Sequence, residues 1–159
     1  MLYLKGNSYY AQIKDITRDQ QISRNAIETY AMLISNYPES DYAKDAKDKL
    51  VVGVDQLAGK EMSVGRYYLG NGQYGAAINR FKMVVAQFET STHIEEALYR
   101  LTEANLALGL VSEAQTAAAV LGHNYPSSTW YKQAVELLKK QGLNPQINSG
   151  SSLAQLKKN

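Results

Sequence analysis

Apolar side chains between residues 23 and 37 fall at Ala26, Ile27, Tyr30, Leu33, Ile34 and Tyr37, with polar residues filling most of the gaps. Recurrence at three and four residues marks one stripe of an amphipathic helix. Pro38 ends it, because Tyr37 before it avoids the α region and the ring supplies no amide donor. The stripe returns 51 residues later as Ala77, Ile78, Phe81, Val84 and Phe88, and again, 37 residues beyond those, at Ala114, Leu121 and Tyr125. Each copy is followed by a serine, an alanine and a leucine in matching register: Ser40, Ala46 and Leu50, then Ser91, Ala97 and Leu101, then Ser128, Ala134 and Leu138. A self-similarity period in the mid-thirties is the signature of stacked helical hairpins. The pattern predicts an all-α superhelix of stacked helical hairpins, about three repeats, centred on residues 71–101.

In chain order, the first helix is expected over residues 2–13, with Leu2, Tyr9 and Ile13 on one face, before a polar run in which Asp15 and Asp19 are plausible caps. A helix from residue 19 or 23 to 36 leads to Ser40 or Asp41, either of which caps a second helix reaching residue 70. Gly53, Gly59 and Gly65 inside that long helix each cost roughly 1 kcal/mol relative to alanine and allow for one bend. It is about 14 residues longer than its counterparts, the difference between the two offsets, and is expected to project beyond its own hairpin. Asn71-Gly72 then turns into a helix over 74–87, Thr92 or Ser91 caps one over 94–108, and Gly109 ends that one in the left-handed region. Helices over 112–124 and 128–141 complete the third copy. Residues 1–142 are read as the repeat domain. Residues 143–159, rich in Asn, Ser and Gly, are read as a flexible tail with a short apolar element at Leu153 and Leu156. Residues 1–14 resemble the last helix of a preceding hairpin, so a fragment is expected. The aromatics Tyr30, Phe81, Tyr37, Phe88 and Tyr125 are expected in the core, whereas one member of each adjacent pair, Tyr9-Tyr10 and Tyr67-Tyr68, must leave its helix's main stripe.

Composition narrows the function without naming it. With 45% apolar and 20% charged residues and a formal charge of +2, the chain has an ordinary globular balance, and no basic run exceeds Lys157-Lys158. Nucleic acid is not an expected partner. The absence of cysteine removes disulfides, thiol catalysis and thiolate metal sites. No stretch approaches the roughly 18 apolar residues that span a bilayer, and the first ten residues lack a signal-peptide pattern.

Two motifs carry apparent chemistry. Gly70-Asn71-Gly72-Gln73-Tyr74-Gly75 satisfies G-x-G-x-x-G, with Glu95 suitably downstream, but a dinucleotide site needs a strand before that loop, and here a helical stripe precedes it. Gly72 instead matches Gly109 at the turn between hairpins. His93 with Glu95 and Glu96, and the isolated His123, do not have zinc-ligand spacing, and the two glutamates suit the positive end of a helix. No nucleophile sits in a recognisable context. No catalytic, cofactor or metal residue is therefore assigned. In stacked hairpins the first helices line the inner face, and at about 100° per residue Asn79 lies opposite the apolar stripe with Arg80 on its flank. Their equivalents are Glu28 and Thr29, and Thr116 and Ala117. An arginine among small or polar groups suits a bidentate pair with a partner's carboxylate.

The repeat, with its Ala, aromatic, Tyr-Pro-x-Ser and Leu-Gly positions, is that of tetratricopeptide proteins. More narrowly, the ordered series resembles the BamD family of outer-membrane β-barrel assembly lipoproteins over about residues 1–125. Its members are Arg18-Asp19-Gln20, Ala26, Leu33, Tyr37-Pro38-x-Ser40-x-Tyr42, Asp45-Ala46, Leu50, Leu57-Ala58-x-x-Glu61, Tyr67-Tyr68 and Ala76-Ala77-x-Asn79-Arg80. The resemblance implies a non-enzymatic scaffold, periplasmic and on the inner leaflet of a Gram-negative outer membrane. Its C-terminal repeats would dock onto a POTRA domain of the barrel subunit BamA, and its N-terminal repeats would meet unfolded outer-membrane protein substrate. Other lipoproteins of that machinery are further partners, and Arg80, Asn79, Tyr67, Tyr68 and Glu28 are the candidate contact residues. The lipid-bearing cysteine and first repeats of the family have no counterpart in these 159 residues, and Phe88-Glu89-Thr90 lacks the usual proline. Membrane attachment would come only through that lipid anchor. Two other readings stand beside it: a periplasmic adaptor like the YbgF-type repeat proteins, disfavoured by the extended helix, and a peptide-binding chaperone groove.

Overall fold

The structure is a computed structural model that describes residues 1–12, 20–147, 151 and 153. The expected positions of Ile13, Asp15, Asp19 and Leu156 lie outside the described residues. Among these there are seven helices and no strand: α1 (Leu2–Gln12), α2 (Gln20–Asn36), α3 (Asp41–Gly70), α4 (Tyr74–Gln87), α5 (Ile94–Ala107), α6 (Val111–Asn124) and α7 (Thr129–Lys139). The class is all-α and of the tetratricopeptide type. Helix α3 runs 30 residues as one uninterrupted α-helix, so its three interior glycines do not break it.

The chain forms two compact units, Met1–Lys60 and Glu61–Asn159. In the first, Ala26, Tyr30, Leu33 and Ala46 make the core, and Leu2, Tyr9, Tyr10 and Leu50 pack against it. In the second, α5 packs against α4, α6 and α7, and the repeat positions Ala77, Phe81, Val84, Ala97, Leu101, Ala114, Leu121, Ala134 and Leu138 are buried. These are the residues the offsets of 51 and 37 bring into register. Burying a ring such as Phe81 in place of water contributes roughly 1.5–3 kcal/mol.

Turns recur bond for bond. Within hairpins, the amides of Tyr37, Phe88 and Tyr125 donate to the carbonyls of Leu33, Val84 and Leu121 at 2.9, 2.9 and 2.8 Å, and those of Ser40, Ser91 and Ser128 donate to Tyr37, Phe88 and Tyr125. After α3, α5 and α7, Gly72, Gly109 and Gly142 take positive φ of 72, 75 and 72°. There the amides of Gln73, Leu110 and Leu143 reach back to the carbonyls of Tyr68, Asn105 and Leu138 at 2.9, 2.9 and 3.0 Å. That is the Schellman arrangement, which satisfies carbonyls a helix end leaves open. The glycines of the apparent nucleotide loop thus follow a helix and serve a turn.

Two expectations are corrected. Neither Ser91 nor Thr92 caps α5: His93 occupies the cap position without a side-chain capping hydrogen bond to the helix, and the buried Ser91 Oγ has no hydrogen-bond partner. Ser40 Oγ and Ser128 Oγ, by contrast, accept from the amides of Ala43 and Trp130 at 3.2 Å. In the middle copy the helix starts three residues after its serine, in the others one residue after, and Ser91 meets the first turn only through its backbone carbonyl, which accepts from the Ile94 amide at 3.4 Å. Tyr37 is not core, being 58% exposed, and Tyr125 is only half-buried. Tyr37 stands beyond the end of α2 at an open groove of about 460 Å³ that it lines with Leu33, Tyr3 and Tyr42.

Candidate functional site

Four of the five candidate residues lie on the second unit, where the end of α3 meets α4. The apolar face of α3 carries Leu57, Ala58, Glu61, Met62 and Gly65, all buried, so Glu61 interrupts an apolar stripe with a carboxylate. A buried charge of this kind requires a partner. Arg80 supplies one: its Nη1 donates to Glu61 Oε2 at 3.0 Å, the glutamate side chain being 3% exposed and the arginine 37%. The hydrogen bond to Glu61 is the largest influence raising the Arg80 pKa, opposed by desolvation, with Glu61's charge and then the Tyr68 phenol adding to the rise. Edge to face with Tyr68, at 5.9 Å between ring centroids, stands Tyr67, which is 69% exposed.

Arg80, Tyr68 and Tyr67 therefore form one surface, with Asn79 exposed on the same helix as Arg80. Glu28 is exposed on α2, in the other unit. The repeat register explains why Arg80 is only half-buried: its equivalents Thr29 and Ala117 are buried small residues, so position 80 turns towards a neighbouring helix and the long side chain reaches that helix's carboxylate. Sequence reading missed Glu61, although a carboxylate at i+4 from Leu57 and i+3 from Ala58 was the available signal. Composition at this surface is of the kind that dominates protein interfaces, in which Tyr and Arg carry much of the binding energy.

Two other polar clusters hold helices together. In the first unit, Lys49 Nζ pairs with Asp45 at 2.8 Å, donates to Asn7 Oδ1 at 2.6 Å, and stands 5.3, 5.8 and 6.0 Å from the ring centroids of Tyr3, Tyr10 and Tyr30. In the second, Glu96 accepts from Arg66 at 2.9 Å and Arg100 at 3.2 Å, and Arg100 also reaches Glu103 at 2.8 Å. Arg100 lies over the rings of Tyr99 and Trp130. Glu95 and Glu96 sit in the first turn of α5, as its dipole favours. Among the described residues no group of three or more His, Asp or Glu is placed to hold a metal ion, and no helix is long and apolar enough to cross a membrane.

Comparison with known proteins bears on the chain as a whole. Residues 1–121 match the family described as YfiO, outer membrane lipoprotein. The chain is 47% identical over 145 residues to the outer membrane protein assembly factor BamD of Caulobacter vibrioides, covering 91% of this chain and 48% of that protein. It is 44% identical over 137 residues to the protein of the same name in Rickettsia prowazekii, 86% of this chain and 55% of that one. With the Neisseria gonorrhoeae protein so named it shares 38% over 117 residues, 74% of this chain and 44% of that one. The chain spans about half the length of the curated relatives it matches.

Proposed function

We propose that this chain, which belongs to the YfiO family of outer membrane lipoproteins, acts as a non-enzymatic docking module of the outer-membrane β-barrel assembly machinery. It would work at the periplasmic face of the outer membrane and bind a POTRA domain of the barrel subunit BamA. The relatives named as outer membrane protein assembly factors support the setting. One observation supports the contact: an arginine held by a buried carboxylate at 3.0 Å, yet 37% exposed, on a surface that also carries the mostly exposed Tyr67. Arg80, Asn79, Tyr67 and Tyr68 are the proposed contact residues of this surface, and Glu28 is a separate proposed contact residue on the first unit. A guanidinium in this setting suits a partner carboxylate, because its planar fork matches both oxygens.

The test is a calorimetric titration of the isolated POTRA domain into this chain. Arg80→Glu is expected to abolish binding. Affinity equal to the parent's would remove Arg80 from the site. A second reading, capture of unfolded outer-membrane protein substrate, is favoured by the groove at Leu33, Tyr37 and Tyr42 in the first unit. Binding of a short C-terminal barrel peptide to this chain, without a folded partner, is its test.

A further inference from the structure

We infer that Glu61 is a positioning residue for docking: its carboxylate fixes the Arg80 guanidinium in one orientation before any partner arrives. The inference rests on the reading of Arg80 as the docking residue. It starts from the oddity of the pair. Position 80 holds a buried threonine or alanine in the other two copies, Thr29 and Ala117, and Glu61 occupies an apolar stripe between Ala58 and Met62. Packing alone favours apolar side chains at both places, since a buried ion pair is commonly matched in stability by a hydrophobic pair. The charges do something that packing does not.

A surface arginine samples many rotamers, and binding must freeze them. Arg80 is already held by Glu61 Oε2 at 3.0 Å through Nη1, one of the five N–H donors of a guanidinium, while more than a third of its side chain remains open to solvent. Immobilising a rotamer-rich side chain at an interface weakens binding by roughly 3- to 10-fold when it is not prepaid. Glu61 acts through Arg80 and need not touch the partner, being almost wholly buried.

The experiment is a double-mutant cycle on the intact chain, read by calorimetry with the isolated POTRA domain of BamA as the probe. Glu61→Gln is expected to weaken binding about 3- to 10-fold in the parent background and to add nothing in the Arg80→Ala background. Parent affinity in Glu61→Gln overturns the inference while leaving the docking reading intact, and so does an equal loss in both backgrounds, the mark of a merely structural role. A parent chain that does not bind the domain, or an Arg80→Ala variant that binds as the parent does, overturns the docking reading and this inference with it. Nuclear magnetic resonance of the Arg80 side chain in the free parent supplies an arm independent of variant folding and of residual binding. Restricted guanidinium rotation, relaxed in Glu61→Gln, is expected; free rotation in the parent overturns the inference.

Discussion

Gly65 lies inside α3, where a glycine is a poor choice on local grounds, and replacing it by alanine should favour the helix by about 1 kcal/mol. The neighbouring helix reverses that sign. A Cβ built at Gly65 would stand 2.5 Å from Phe81 Cε1, and 2.9 Å from both Cδ1 and Cζ, where carbon atoms at rest prefer about 3.5–4.0 Å. The ring would have to retreat by about 1 Å, yet Phe81 is wholly buried and cannot swing out into solvent. Forcing an extra methyl into such a core costs about 1–3 kcal/mol, so Gly65→Ala should destabilise by up to about 2 kcal/mol net of the helix gain. In a Phe81→Leu background, where the Cε1 and Cζ atoms are absent, the same change should be neutral or stabilising by up to about 1 kcal/mol. Urea unfolding followed by the fluorescence of Trp130, the only tryptophan, reports on the unit holding both residues. A midpoint raised by Gly65→Ala in the parent, or shifted alike in both backgrounds, would refute the argument.

Other outcomes follow from the same contacts. Phe81→Ala should cost about 3–5 kcal/mol by the same denaturation, since the ring is wholly buried. Gly72→Ala should lower the melting temperature through left-handed backbone strain of about 1–2 kcal/mol, because its φ is 72° and nothing crowds the site, while Gly75→Ala, equally uncrowded but helical, should not. Arg80→Leu should destabilise by about 1–3 kcal/mol, the buried-pair figure reduced for the exposed guanidinium, and Arg80→Leu with Glu61→Leu should recover most of the loss in the same melt. Asp45 is held below the ordinary aspartate value by the hydrogen bonds from Lys49 and then Tyr3. Its folded pKa being the lower one, its contribution is complete above the unfolded range and is lost as pH falls through about 3.8 towards the folded value. Lys49→Met should flatten that acid loss when unfolding is followed by circular dichroism.

The sequence made legible whatever local chemistry decides. Helices α3 and α4 begin and end where Ser40, Gly72 and the stripe of Ala77 to Phe88 indicated, because proline, glycine and serine act through their own backbone. The class and register followed from spacing. What escaped depends on partners distant in the chain. Gly65 is explained by a ring sixteen positions on, Glu61 by a guanidinium nineteen positions on, and Lys49 by Asn7, 42 positions back. None of these separations is a helical period. Arg80 stands out in the sequence, but on the flank of its stripe and for a partner's carboxylate, because the periodicity of one helix does not show which neighbour it touches. Tyr37 was misplaced for the same reason: a residue that ends a stripe inherits its pattern without inheriting its cover.

The three glycine exits have a consequence for how such a chain can change. Because Gly72 and Gly109 close with the same pair of backbone bonds and nearly the same dihedral, residues 73–109 form a cassette whose two ends are interchangeable. A duplication or deletion of that cassette rejoins one exit to the other without inventing a new junction. Only the side chains facing the next cassette must then be renegotiated, so length is the cheap variable in this architecture and the identity of each interface residue the dear one.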